Sequence, residues 1–419
     1  MIHRALVRLR GRHGRVLAVL AVLGPGLIAA NAGNDAGGVA TYSSVGARYG
    51  YDLLWMMVVI TVSLIVVQEM AARMGIVTGK GLADLVREHY GVRWSLFATA
   101  SVLVANLGIC ISEFVGIGAA LGLAHVPPQA SVPVAAVAVW VLLVRGTYKL
   151  AERIFVVMTI PFFAYPIAAI LAHPSWGKVG KSIVAPHVQT TPSYVLLFVA
   201  TAGTTITPFM QLYLQSAVVE RGLGPEELNR ERAEVITGSV FANIVASFII
   251  IATGATLYVH HHRLIDTASQ AAKALAPFAG RFAEVLFAVG LLGASLLAAA
   301  VLPVTAAYVI SETFGFEKGI SRSPREAPVF VGVVTALVVI GAAVAMIPGV
   351  PVFRLLVGVQ AVNGVLLPIT LFFVWRLSAS REVMGRYRNG RVFNAVAGLT
   401  VAATSALSLI LLGVTVGGG

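Results

Sequence analysis

Charge is what this sequence has least of. Only 11% of its 419 residues are Asp, Glu, Lys or Arg and 58% are hydrophobic, whereas a soluble domain carries about 25% charged residues. Too little polar surface remains to solvate the two or three soluble domains that this length could otherwise hold. A polytopic membrane protein is the class that remains. Cysteine is scarcer still. Cys110 stands alone, which excludes an internal disulfide framework, a cysteine metal cluster and a redox pair within one chain. No phosphate loop, zinc motif or nucleophile triad is found, so nothing points to an enzyme or to a resident cofactor. No linker is long or low in complexity, and one membrane domain over 1–419 accounts for the chain.

Apolar runs long enough to cross a bilayer, about 20 residues each, fall near 16–47, 52–72, 94–123, 131–145, 154–173, 193–219, 236–258, 282–311, 329–347, 355–375 and 394–413. Met1 to Arg15 followed by Val16 to Leu23 imitates a secretory signal. No small-residue cleavage site closes it and the apolar character runs past Ala30, so it reads as an uncleaved first span. The 30 bases exceed the 18 acids by 12, which in another chain would suggest nucleic acid. Here the bases sort by loop. With the N-terminus inside, the cytoplasmic segments hold 23 of the 30 Lys and Arg, which is the positive-inside pattern for an N-in, C-out chain. The excess is a topological signal, no basic stripe for nucleic acid is present, and a plasma membrane is the expected location, bacterial inner membrane in particular.

Two spans are broken at mid-depth. The first carries Asn31-Ala32-Gly33-Asn34-Asp35-Ala36-Gly37-Gly38, and the sixth carries Gly203-Thr204-Thr205-Ile206-Thr207-Pro208. Irregular backbone at that depth is tolerated only where it lines a cavity or is buried in protein. Spans one and six open two successive sets of five, so the breaks stand at corresponding positions of two halves. That is the pattern of an inverted-repeat transporter with its substrate site at the midplane. The expected halves are about 16–173 and 193–377, with an extra helix at about 394–413. Two acids lie deep, Asp35 at the first break and Glu113 in the third span. A carboxylate at the bilayer centre costs about 2.5–3.5 kcal/mol even on the lenient scale, so each asks for a function. Asp35 with the free carbonyls beside it is an oxygen-rich cation site by composition. Glu113 is either a charge-balancing or proton-carrying acid, or a neutral acid bonded between helices. Glu69, Glu284 and Glu312 lie near span ends, where interfacial or loop packing is expected.

Several stretches resemble the Nramp family of divalent-metal transporters, across essentially all eleven spans. Gly24-Pro25-Gly26 and Asn34-Asp35-Ala36-Gly37-Gly38 resemble the family's GPG and DPGN. Gln68 to Gly79 resembles its QxxAARxGxxTG, the most specific match. Glu113-Phe114-Val115-Gly116, Leu212-Tyr213-Leu214-Gln215-Ser216 and Gln360 to Pro368 resemble family motifs on spans three, six and ten. The resemblance implies an all-α membrane protein of the LeuT type, with five plus five helices and an eleventh. It also implies transport of a divalent cation by alternating access, with the lipid bilayer and the metal as the only partners expected.

The departures fall on the family's metal and proton residues. The DPGN asparagine is Gly38 here. The sixth-span methionine maps to Thr207 or Pro208, with Met210 nearby, and Gln215 stands where the family has its second histidine. Cys110 replaces an aspartate. This pattern resembles the divergent Nramp-related magnesium transporters. An oxygen-rich, enlarged site suits Mg²⁺, which keeps several waters. The resemblance thus implies Asp35 as principal ligand, with Gly38 marking space and the backbone oxygens of Ala32 and Thr204 contributing. Thr207 and Gln360 follow as water or secondary ligands, and Glu113 as a companion acid. The expectation is Mg²⁺ uptake without proton coupling. Alternatives are a proton-coupled Mn²⁺ or Fe²⁺ importer, a sodium-coupled carrier of amino acids or organic cations, and a channel or nutrient sensor. His260-His261-His262 is expected to be a solvated loop cluster, and Cys110 a packing residue.

Overall fold

The computed structural model describes residues 32–145, 154, 164–260, 264–272, 283–320 and 322–417. The Gly24-Pro25-Gly26 stretch, the first part of span one, the middle of span five and two of the three loop histidines therefore lie outside the described residues. Ala32–Asn34 form a single 3₁₀ turn. Next come α1 (Ala36–Tyr49), α2 (Leu54–Thr78), a short α3 (Leu82–Tyr90), α4 (Val92–Gly122), α5 (Pro128–Arg145), α6 (Ala164–Leu171) and α7 (Trp176–Val184). The longer helices that follow are α8 (Pro192–Thr205), α9 (Pro208–Glu220), α10 (Leu228–Thr253), α11 (Ala283–Phe314), α12 (Pro328–Ala345), α13 (Val352–Ala379) and α14 (Arg391–Gly417).

Among the described residues nine helices or joined helix pairs are long and apolar enough to cross a membrane. They correspond to expected spans two to four and six to eleven. Spans one and five are the two that the described residues cover only in part.

Local chemistry explains where the helices stop. Gly79 ends α2 at φ +63°, the left-handed conformation that leaves a C-terminal carbonyl satisfied, its N–H bonding Gly75 O at 2.9 Å. At the sixth-span break, α8 ends at Thr205 and α9 restarts with Pro208 in its first turn. A proline there sacrifices no helical hydrogen bond and supplies the φ that a helix start needs.

Burial separates centre from rim. In the α8–α9 pair 83% of the most apolar stretch is buried, against 22% in α5. The broken pair therefore lies inside a ring of other helices, where its free backbone groups are shielded from lipid. It touches α13, α2 and α11, while α4 joins α11, α12 and α13, and α14 lies outside on α13. On the rim the exposed side chains are themselves apolar, Val134 on α5 and Leu399 on α14 both being 71% exposed. Such faces suit acyl chains rather than water.

Loops expected on one side of the membrane meet one another. Glu69 of α2 pairs with Arg73, one turn along, and with Arg232 of α10 at 2.7 Å. Arg73 also donates to the Tyr387 carbonyl and to Asn389 Oδ1. Lys318 bridges Asp84 of α3 at 2.7 Å and Glu312 of α11 at 3.2 Å. Glu312 also accepts from Ser216 of α9 and from the backbone of Ala83. Glu69 and Glu312 thus belong to loop packing, as their places near span ends predict.

Candidate functional site

The first break is shaped by Asp35. Its side chain caps α1, accepting from Gly38 N at 2.5 Å, so a helix starts in the interior with a carboxylate on its positive end. The residue is fully buried. Gln360 of α13 completes its shell: Nε2 donates to both carboxylate oxygens, 3.0 Å to each. Next along the chain, Ala36 N donates to Glu113 Oε2 of α4 at 3.1 Å, and Ser112 Oγ donates to Glu113 Oε1. Two backbone amides of one helix start, those of Ala36 and Gly38, therefore engage two separate acids.

The second break lies against the first. Thr204 Oγ1 donates to Gly33 O at 3.2 Å and Thr207 Oγ1 donates to Thr204 O at 2.8 Å. Tyr42 OH of α1 and Thr205 Oγ1 share a 2.9 Å hydrogen bond. Asn34 donates to the Ala242 carbonyl of α10.

Of the residues expected at the site, the structure brings Asp35, Gly38, Thr204, Gln360 and Glu113 into one contiguous cluster. Ala32 opens the adjoining 3₁₀ turn. Thr207 lies at its margin, with its hydroxyl proton committed to Thr204 and only its lone pairs free. Gln215, which donates to Lys80 O, is engaged elsewhere. Cys110 Sγ turns to Leu337 O of α12, in keeping with a packing role.

One expectation is corrected. Gly38 does not mark open space, because a β-carbon there would lie 2.5 Å from Gly33 O, 2.9 Å from Thr204 Oγ1 and 3.2 Å from Asp35 Oδ1. The two breaks meet at that glycine, and the widened cavity inferred from a missing side chain is filled by the Gly33 carbonyl and the Thr204 and Asp35 side-chain oxygens. Met210 is the complementary surprise. Its terminal methyl lies against Gly33, where a β-carbon would be within 3.7 Å of Sδ, and Gln68 Nε2 donates to that sulfur at 3.8 Å. A thioether is thus present at the break, delivered from the start of α9 rather than from the family's position.

Asn363 is the residue that sequence reasoning missed. It is buried, and its Nδ2 reaches both Gly203 O at 3.1 Å and Gln360 Oε1 at 3.3 Å. The available signal was its place three residues after Gln360, on the same helical face of an apolar span. Among the described residues no group of three or more His, Cys, Asp or Glu could hold a metal. The cluster is therefore two carboxylates, Asp35 and Glu113, with amide, hydroxyl and carbonyl groups around them.

Comparisons with known proteins find relatives and a shared fold. The family model "Nramp: Natural resistance-associated macrophage protein-like" matches residues 26–413. A relative from Deinococcus radiodurans, the divalent metal cation transporter MntH, is 29% identical over 99% of this chain and 95% of its own length. The protein of the same name from Verminephrobacter eiseniae is 30% identical over 96% of this chain and 91% of its own. A crystal structure of the Eremococcus coleocola manganese transporter superposes with a TM-score of 0.76 at 21% identity, covering 96% of this chain and 88% of that one.

Proposed function

Because the chain belongs to the Nramp family, we propose that it carries a divalent metal ion of the Mn²⁺ or Fe²⁺ kind into the cell, moving a proton with it. The observation that carries this reading is Asp35. It is a fully buried carboxylate at a helix start, met by the interrupted α8–α9 pair and by an amide from α13. The Mg²⁺ preference expected from the sequence rested on a wide, hard site. The close approach of Gly33 O and Thr204 Oγ1 at Gly38 removes the space that a hydrated ion would need, and a thioether lies at the break. Softer donors favour Mn²⁺ and its neighbours over Mg²⁺. The names of the relatives point the same way.

The sites of the ion and proton follow from the same cluster. Asp35 is the principal ligand, with backbone oxygens of Ala32 and Thr204 and the Gln360 carbonyl as neutral donors, and Thr207 through water. Gly38 lets the two breaks approach. Glu113, tied to the residue after Asp35, is the second acid, and binding of a cation at carboxylates releases protons that they hold. The two halves at about 16–173 and 193–377 rock about this cluster, the helix at about 394–413 remains peripheral, and the chain lies N-in, C-out in the plasma membrane. An inside-negative potential adds about 4.6 kcal/mol for a dication at 100 mV, so import is the downhill direction.

Purified full-length protein in proteoliposomes tests the reading. Mn²⁺ influx should saturate, be inhibited by Fe²⁺ and Cd²⁺ more than by Mg²⁺ or Ca²⁺, and acidify the lumen. Influx of Mg²⁺ outcompeting Mn²⁺, with no lumenal acidification, would return the assignment to an uncoupled magnesium carrier.

A further inference from the structure

Gln360 presents the wrong end of its amide for a cation ligand. Its NH₂ covers both oxygens of Asp35, where it occupies the lone pairs that a metal requires. A carboxamide has two faces, and its terminal torsion is broad and roughly two-fold. Turning it over converts a competitor for Asp35 into an oxygen donor. Which face is presented depends on what holds the other atom, and that atom, Oε1, is held by Asn363 Nδ2. The same Nδ2 donates to Gly203 O on α8, while Asn363 Oδ1 is buried without a hydrogen-bond partner. If Gln360 turned over alone, its N–H groups would meet those of Asn363. If both amides turn, Gln360 donates to the now unpartnered Asn363 Oδ1, and Gly203 O loses its bond.

We propose that Gln360 and Asn363 form a paired amide switch: the Gln360 NH₂ stands in for the cation on Asp35, Asn363 holds it in that face, and ion binding reverses both. The inference rests on the metal-site reading above and adds a positioning residue to it. Asn363 touches no ion. It sets how tightly the empty site is capped, and therefore how much metal is needed to open it, which limits capture of weakly bound ions. Gly203 and Gly364 fix the geometry. A β-carbon on Gly203 would collide with the backbone carbonyl of Gln360 and the backbone amide of Gly364, and one on Gly364 would lie 2.5 Å from Val199 O, so α8 and α13 touch main chain to main chain where the switch sits.

Isothermal titration of Mn²⁺ into purified wild-type, Asn363→Leu, Gln360→Leu and doubly substituted protein tests this. Loss of one neutral hydrogen bond from the empty state should tighten Mn²⁺ binding in Asn363→Leu by about two- to tenfold. In the Gln360→Leu background the same change should have no effect, because the two residues act as one unit. Weaker binding in Asn363→Leu, or an equal effect with and without Gln360, would make Asn363 a packing residue and overturn the switch while leaving the metal site intact. Absence of Mn²⁺ binding by the wild type would instead remove the metal-site reading. Should Asn363→Leu not fold, the side-chain ¹⁵N amide resonances of the wild type decide. On addition of diamagnetic Cd²⁺ the Gln360 and Asn363 NH₂ signals should shift together, and a Gln360 shift without Asn363 would refute the pairing.

Discussion

Replacing Asp35 by asparagine exchanges one oxygen for an NH₂ and removes the sole formal charge between Ala29 and Gly38. The cap survives, since an asparagine oxygen accepts from Gly38 N about as well as aspartate does. Of the paired bonds from Gln360, the one to the remaining oxygen becomes neutral, a loss of about 1 kcal/mol, and the other disappears because an NH₂ cannot accept it, at about 1–3 kcal/mol. Against this, a carboxylate no longer has to be buried, which saves several kcal/mol. Folding stability should therefore change little or rise. Transport should not survive. A dication left without its buried counter-charge loses about 3–5 kcal/mol, the cost of removing one partner of a buried pair, or roughly 150- to 5,000-fold in affinity. The assay is Mn²⁺-dependent quenching of a lumenal dye in proteoliposomes, with detergent melting temperature as the folding control. Uptake within threefold of wild type by a folded Asp35→Asn protein would refute Asp35 as the ligand.

Three further outcomes follow. Gly38→Ala should lower stability by about 1–3 kcal/mol and depress transport, because its methyl meets Gly33 O; a neutral result in thermal melts would show that the breaks do not pack there. Glu113→Gln should retain Mn²⁺ binding while reducing lumenal acidification per metal imported, and unchanged acidification would move the proton site elsewhere. At Lys318, partial burial pushes the ammonium down, but Glu312 and Asp84 outweigh it and hold the group above the ordinary lysine value. Its stabilisation is therefore full below about pH 10.4 and lost as pH rises through the raised value. Lys318→Met should cost about 1–3 kcal/mol at pH 7, the difference closing only in strong alkali, as equilibrium unfolding of the two proteins would register.

The breaks were legible because their composition conflicts with their depth. Glycines, amides and a carboxylate around Asp35, and proline after three threonines in span six, have no place in a continuous apolar helix. Span order and the gathering of basic loops were legible for a similar reason, since length and loop charge answer to the bilayer. What the sequence could not convey was distance. Gly38 reads as an absent side chain, and only the fold places Gly33 O there instead. Met210 reads as a residue displaced by two or three positions, although the start of α9 carries its thioether back to Gly33. Asn363 differs again: a single polar residue in α13 has no meaning until Gln360 and Gly203 are seen on either side of it. Contacts such as Gln360 with Asp35, 325 residues apart, are properties of topology, which residue type alone does not encode.

The loop contacts of Arg73 also bear on how the chain is made. Its local partner, Glu69, lies four residues earlier and is available as soon as α2 emerges. The Asn389 oxygen arrives 316 residues later. At about 5–20 residues per second, synthesis of that interval takes roughly 15–60 s. During that time the guanidinium has Glu69, and later Arg232 competes for the same carboxylate. Arrival of the α13–α14 connection gives Arg73 its remaining acceptors and leaves Glu69 shared between two arginines. The second helix is thus finished only by residues made 316 positions after Arg73, so a nascent chain halted after α13 should be the form that quality-control proteases recognise.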